Sequence, residues 1–213
     1  MRDFPVFTTE NGVASLVLRE IPYQGVAYIT LQDSLSPGEL LAECVDFCKM
    51  AGAKKIFATG HKWLEKYPIY TTVVKMQRPR EGLPESDAAL FPVTEKTVEQ
   101  WRSYYNDRMK TVPNASTMNR EDGKRLIEKG GGYFVHKDGE LLGIGIAREN
   151  KIETIASLKP RAGETVLLTL CNALLSEDIV LEVASNNEPA IRLYSHFGFI
   201  KTQQLRIWYD VTK

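Results

Sequence analysis

LEVASNNEPAIRLYSHFGF, residues Leu181 to Phe199, decides the fold. A helix begun at Asn187 puts Asn187, Ala190, Ile191 and Tyr194 on one face over two turns. Pro189 is tolerated because it falls in the first turn. Gly198 supplies the left-handed stop and Phe199 its apolar follower. The stretch therefore predicts a strand over Ile179–Ala184, a helix over Glu188–Phe197 and a sharp end at Gly198.

Working toward the N-terminus, Gly163–Leu175 reads as a helix. Ile152–Leu158 reads as a strand. Tyr133–His136 and Glu140–Ala147 flank the hairpin turn Lys137-Asp138-Gly139. Asn119–Lys129 is a helix ended by Gly130-Gly131-Gly132, and Thr94–Lys110 is a longer one capped by Thr94. Toward the C-terminus, Leu205–Val211 is a last strand. Gln77–Ala88 holds two prolines, a glycine and many charges, so it is a linker or crossing segment with a boundary near residue 85. Before it lie strands at Phe4–Thr9, Val13–Arg19 and Val26–Leu31. A helix follows, with Ser36 as cap, Pro37 first and Gly52 as stop; its apolar stripe is Leu40, Leu41, Cys44, Val45, Phe47 and Cys48. Strands at Lys54–Thr59 and Ile69–Met76 complete this half. The order of elements makes the first half a shortened copy of the second, on a mixed sheet flanked by helices.

The spacing Val183-x3-Asn187-x2-Ala190-Ile191-x2-Tyr194-x3-Gly198-Phe199 resembles the C-terminal signature of the GNAT superfamily of acyl-CoA N-acyltransferases. The resemblance implies an α/β fold of GNAT type, with a mixed, mostly antiparallel sheet. The chain divides into residues 86–213, the acetyltransferase domain, and residues 1–85, a degenerate GNAT-like unit. That first unit has no Asn-x-x-Ala-x-x-Leu-Tyr run, no Gly-Phe stop and no phosphate-turn pattern. The reaction implied is direct attack of an amine on the thioester of acetyl-CoA, with no metal. The acceptor is a small-molecule amine or a protein N-terminus.

Carried over by position, Asn187 hydrogen-bonds the pantetheine arm or fixes the helix start, and Tyr194 gives a proton to the leaving thiolate. A phenol with a pKa of about 10 is protonated near neutral pH and suits that role. The competing reading of Tyr194 is a core aromatic. The family's phosphate turn corresponds to Leu158-Lys159-Pro160-Arg161-Ala162-Gly163-Glu164-Thr165-Val166. Backbone amides of Arg161, Ala162, Gly163, Glu164, Thr165 and Val166, at the positive end of a helix, would hold the pyrophosphate. Only one glycine of the family pattern remains. Glu164 is unfavourable there unless it points away, while Lys159 and Arg161 compensate. Ala156 and Leu158 would offer backbone groups to pantetheine. Glu153 is the one carboxylate in that strand: a general base or an exposed strand residue.

The remaining composition narrows the classes. Twenty-seven basic residues balance twenty-seven acidic ones, which argues against a broad grip on nucleic acid. No stretch approaches the roughly 18 apolar residues that span a bilayer, and no targeting pattern is visible, so a cytoplasmic protein without membrane partners is expected. Three cysteines make no disulfide framework, and Cys44 and Cys48 read as buried thiols. His61, His136 and His196 have no ligand spacing, so no metal is expected. Gly143-Ile144-Gly145 lies inside a strand and opens no helix, so it is no dinucleotide fingerprint. Trp63, Trp101 and Trp208 read as core or pocket wall. Tyr104 and Tyr105 are candidate acceptor-pocket residues. Either a monomer or a homodimer is compatible.

Overall fold

The computed structural model describes residues 5–213. In chain order the elements are β1 (Val6–Thr9), β2 (Gly12–Val17), a one-turn helix α1 (Ile21–Gln24), β3 (Val26–Ser34), α2 (Pro37–Met50), β4 (Lys55–Thr59), a short 3-10 turn (Lys62–Lys66) and β5 (Ile69–Pro79). There follow β6 (Ala89–Pro92), α3 (Val98–Met109), α4 (Arg120–Lys129), β7 (Gly132–Lys137), β8 (Glu140–Arg148), β9 (Lys151–Ser157), α5 (Gly163–Asn172), β10 (Asp178–Ala184), α6 (Glu188–His196) and β11 (Ile200–Asp210). The expected first strand is β1; Phe4 lies outside the described residues. α1 and β6, each four residues long, are too short to show a period in the sequence.

Packing makes two compact units, one of residues up to Val73 with Gln204–Lys213, the other Val74–Gln203. β5 and β11 give residues to both. In the first unit β2 pairs antiparallel with β3, β3 parallel with β4, and β4 antiparallel with β11. One face buries the α2 stripe, Leu40, Leu41, Cys44, Val45 and Cys48, against Leu16, Ile29, Leu31 and Ile56. Phe47, counted in that stripe by spacing, is exposed. A separate cluster holds Tyr28, Phe57, Trp208 and Tyr70, with Phe57 stacked on Tyr70 at 3.7 Å.

In the second unit the strand order is β5-β10-β9-β8-β7-β6. β6 to β9 are antiparallel in succession, while β9 and β10 are parallel. The β7–β8 turn is Asp138-Gly139, both left-handed (φ 51° and 78°), as a two-residue hairpin on twisted strands requires. α5 and α6 bury Val166, Leu167, Leu170, Cys171 and Phe199 in one core. α3 and α4 cover another, around Trp101, Leu126 and Ile144. α4 starts with a reciprocal cap: Asp122 N–H donates to Asn119 Oδ1 at 2.9 Å, and Asn119 N–H to Asp122 Oδ2 at 3.0 Å.

Gln77–Ala88 divides into the end of β5 and a strap across α5. Ser86 N–H donates to Asn172 Oδ1 (2.8 Å), and Ser86 Oγ lies 2.7 Å from Oγ1 of buried Thr169. Arg80 N–H donates to the Glu177 carbonyl at 2.7 Å. The position near residue 85 where the sequence suggested a boundary falls within this strap. No helix among the described residues is long and apolar enough to cross a membrane.

Candidate functional site

The parallel neighbours β9 and β10 part company early. Their register pairs Val180 with Lys151 and Leu181 with Ile152, and Val180 N–H donates to the Asn150 carbonyl at 2.8 Å. Beyond Ile152, β9 runs on to Ser157 paired with β8, while β10 runs on to Ala184. The cause is visible on β9: Ile146 pairs with Thr154 and Ala147 with Ile152, so Glu153 is the extra residue of a bulge that turns the strand. Backbone groups along a parted strand edge need polar partners. The corresponding strands of the first unit stay zipped, from Val26–Lys55 to Thr30–Thr59.

α5 begins where β9 ends. Ala162 occupies its cap position without a side-chain hydrogen bond, and the first intrahelical bond is Val166 N–H to the Ala162 carbonyl at 2.9 Å. The N–H groups of the turn before it lack helical acceptors, and the helix dipole makes this end positive. Lys159 and Arg161 are exposed beside it, and Arg161 is left-handed at φ 63°. Ala162 and Val166 are buried, Thr165 is half-buried, and Glu164 faces solvent. A Cβ on Gly163 would stand 3.4 Å from Ser157 Oγ and 3.5 Å from Leu193 Cδ2. Gly163 therefore marks the junction of β9, α5 and α6.

On α6, Asn187 caps the helix: its side chain accepts from Ala190 N–H at 3.4 Å. Tyr194 packs with Ala190, Ile191 and Leu193 against the core that holds Ala162, Val166 and Cys171. Its ring lies 6.1 Å from that of Phe199. Burial, with a smaller contribution from Cys171, pushes the Tyr194 phenol up to about 12. The far end of α6 is held by Arg78, which sequence reasoning missed. Arg78 is 8% exposed, and its guanidinium donates to the carbonyls of Phe197 (2.5 Å), Pro79 (2.7 Å) and Glu81 (3.1 Å). One charge among several in Gln77–Ala88 carries no signal of such a task.

The structure brings Ser157, the α5 start and Leu193 of α6 together; Ala156 and Leu158 belong instead to the α3–α4 core. Glu153 is apart, ion-paired with Arg148 at 2.7 Å. Tyr104 and Tyr105 pack on the α3–α4 core; Tyr105 stacks with Trp101 at 5.5 Å, and Gln100 donates to the Tyr104 hydroxyl at 3.2 Å. Gly143 and Gly145 lie within β8, directly under α5. Among the described residues no group of three or more His, Cys, Asp or Glu is placed to hold a metal.

No protein-family model and no curated protein matches this chain. Solved structures do. A GCN5-related N-acetyltransferase from Anabaena variabilis superposes with a TM-score of 0.65 at 12% identity, over 99% of this chain and 63% of its own. A functionally unknown conserved protein from Staphylococcus epidermidis gives 0.57 at 10%, over 99% and 95%. A tandem GNAT protein from the clavulanic acid biosynthesis pathway gives 0.52 at 12%, over 97% and 83%. The fold expected from the resemblance, GNAT with room for two units, is the fold observed.

Proposed function

We propose that the chain is an N-acetyltransferase moving an acetyl group from acetyl-CoA to an amine, with its acyl-CoA site in the second unit. The observation that carries this reading is the parting of β9 and β10 beside the uncapped start of α5. An extended amide-bearing arm needs an open strand edge, and a diphosphate needs free N–H groups at a helix start. Both needs meet at the Ser157–Gly163 junction. Arg161, Gly163, Glu164 and Thr165 would hold the pyrophosphate through backbone amides, with Lys159 and Arg161 as cations and Glu164 turned outward, whereas the N–H groups of Ala162 and Val166 already donate to the Lys159 and Ala162 carbonyls. Leu158 N–H donates to the Leu142 carbonyl at 2.8 Å and the Ala156 carbonyl faces Gly143 of β8, so Ile155 and Ser157, rather than Ala156 and Leu158, would offer backbone groups to the pantetheine. The degenerate first unit, its strands zipped, would hold no second acyl-CoA.

Acetyl-CoA would supply the thioester that the amine attacks. Tyr194 holds its proton on the phenolic oxygen and releases it to the departing sulfur; a phenol pushed up to about 12 is protonated throughout the working range. Glu153 takes the ammonium proton of the acceptor, directly or through a water, and the proton that the nitrogen sheds after attack, as the C–S bond breaks, restores the Tyr194 phenol. The acceptor is a small-molecule amine or a protein N-terminus, approached from the α3 side near Tyr104 and Tyr105. The test is CoA release from acetyl-CoA across a panel of amines. Tyr194→Phe is expected to lower kcat about 100-fold, the low end for losing a general acid, with little change in KM for acetyl-CoA. A second reading, a CoA-binding module without turnover, is favoured by the Glu153–Arg148 ion pair; it predicts binding unchanged by Tyr194→Phe and no product with any amine.

A further inference from the structure

β8 carries Gly143 and Gly145 in mid-strand, and neither has the positive φ that calls for glycine. Glycine inside a strand is destabilising relative to alanine, because it loses more backbone freedom on folding. The reason it stands here is space. A Cβ on Gly143 would lie 2.6 Å from the Ala156 carbonyl oxygen on β9 and 2.6 Å from Val166 Cγ2 on α5. A Cβ on Gly145 would lie 2.2 Å from Leu170 Cδ1, one helical turn further along α5. The two glycines let α5 rest directly on β8, but they do so at different points. Gly145 sits under the middle of the helix. A Cβ on either would meet the backbone of β9, on Gly145 at the Thr154 carbonyl oxygen (2.9 Å) in mid-strand, but Gly143 sits under the start of α5 and meets β9 at Ala156, beside the end of the strand. We infer that Gly143 is a positioning residue for acyl-CoA: its missing side chain sets the spacing between the end of β9 and the start of α5. This rests on the acyl-CoA reading above.

Gly143→Ala, Gly145→Ala and the parent are compared by calorimetric titration with CoA and by thermal midpoint. Both substitutions lower the midpoint. Gly143→Ala is expected to weaken CoA binding about tenfold or more, while Gly145→Ala, whose new methyl meets the tip of Leu170 and the Thr154 carbonyl away from the β9–α5 junction, binds within about twofold of the parent. Adding Val166→Ala to Gly143→Ala reopens the helix side of the gap and recovers affinity, although it removes further buried methyl groups and lowers the midpoint again. A lesion that acted only through stability would move the other way. If Gly143→Ala does not fold, Val166→Ile crowds the same gap from the helix and is expected to weaken CoA binding. Parent-like affinity in folded Gly143→Ala, or equal losses at both glycines, overturns the inference. A parent chain that binds no CoA overturns the acyl-CoA reading itself, and this inference with it.

Discussion

Glu153 stands at the one step of β9 that the pairing with β8 skips, and that bulge aims its carboxylate at Arg148. A base role there makes a definite demand on pH. Glu153→Gln is expected to lower kcat/KM about tenfold near neutral pH. The deficit shrinks as the pH approaches the acceptor amine's own pKa, because a neutral amine has no ammonium proton to lose before it attacks. The pH–rate profile decides it: an unchanged profile assigns the proton to water alone. At this scale the sequence was legible wherever a role depends on close neighbours in the chain. Asn187 as cap and Gly198 as stop follow from spacing along one helix. Glu153 did not, since a bulge is a mismatch between two strands and a single strand cannot display it.

Helix α6 carries Tyr194 and is fixed at both ends, by Asn187 at the first and Arg78 at the last. Two nearby carbonyls, Pro79 and Glu81, and one distant one, Phe197, accept from one buried guanidinium with no carboxylate beside it in those bonds. Arg78→Met keeps most of the stem and removes every donor. It is expected to cost about 3 kcal/mol, the upper range for a hydrogen-bonded charge, read as a shift in the urea midpoint. A shift below about 1 kcal/mol would mean that water replaces the guanidinium. Most helices and strands of the second unit were legible because their periods run for two turns or more. β6 and the strap over α5 were not: their order comes from partners such as Asn172 and Thr169, far away in sequence. The seat of α5 on Gly143 was equally hidden, because a glycine in a strand announces a close approach without naming the neighbour.

Across the whole molecule, burial holds Cys44 and Cys171 up to about 12, Cys48 to about 11 and Tyr194 to about 12. The folded state therefore keeps protons that the unfolded chain releases at lower pH. Above the unfolded thiol value, about 9, the unfolded state binds fewer protons, so stability falls as pH rises. Thermal midpoints are expected to be insensitive to these groups up to about pH 8.5 and to drop steadily from about 9 toward 12. A flat profile to pH 11 would show that these thiols are not buried. The repeated order strand–helix–strand shows in the sequence, whereas the return of Gln204–Lys213 to the first unit does not. Neither does the contrast on which the proposed function rests, β3 and β4 zipped over five residue pairs and β9 and β10 over two. That contrast sets the central claim, one acyl-CoA site per chain. Calorimetric titration with acetyl-CoA tests it most directly. The account predicts saturable binding at one molecule per chain; no binding at millimolar ligand, or two molecules per chain, would contradict it.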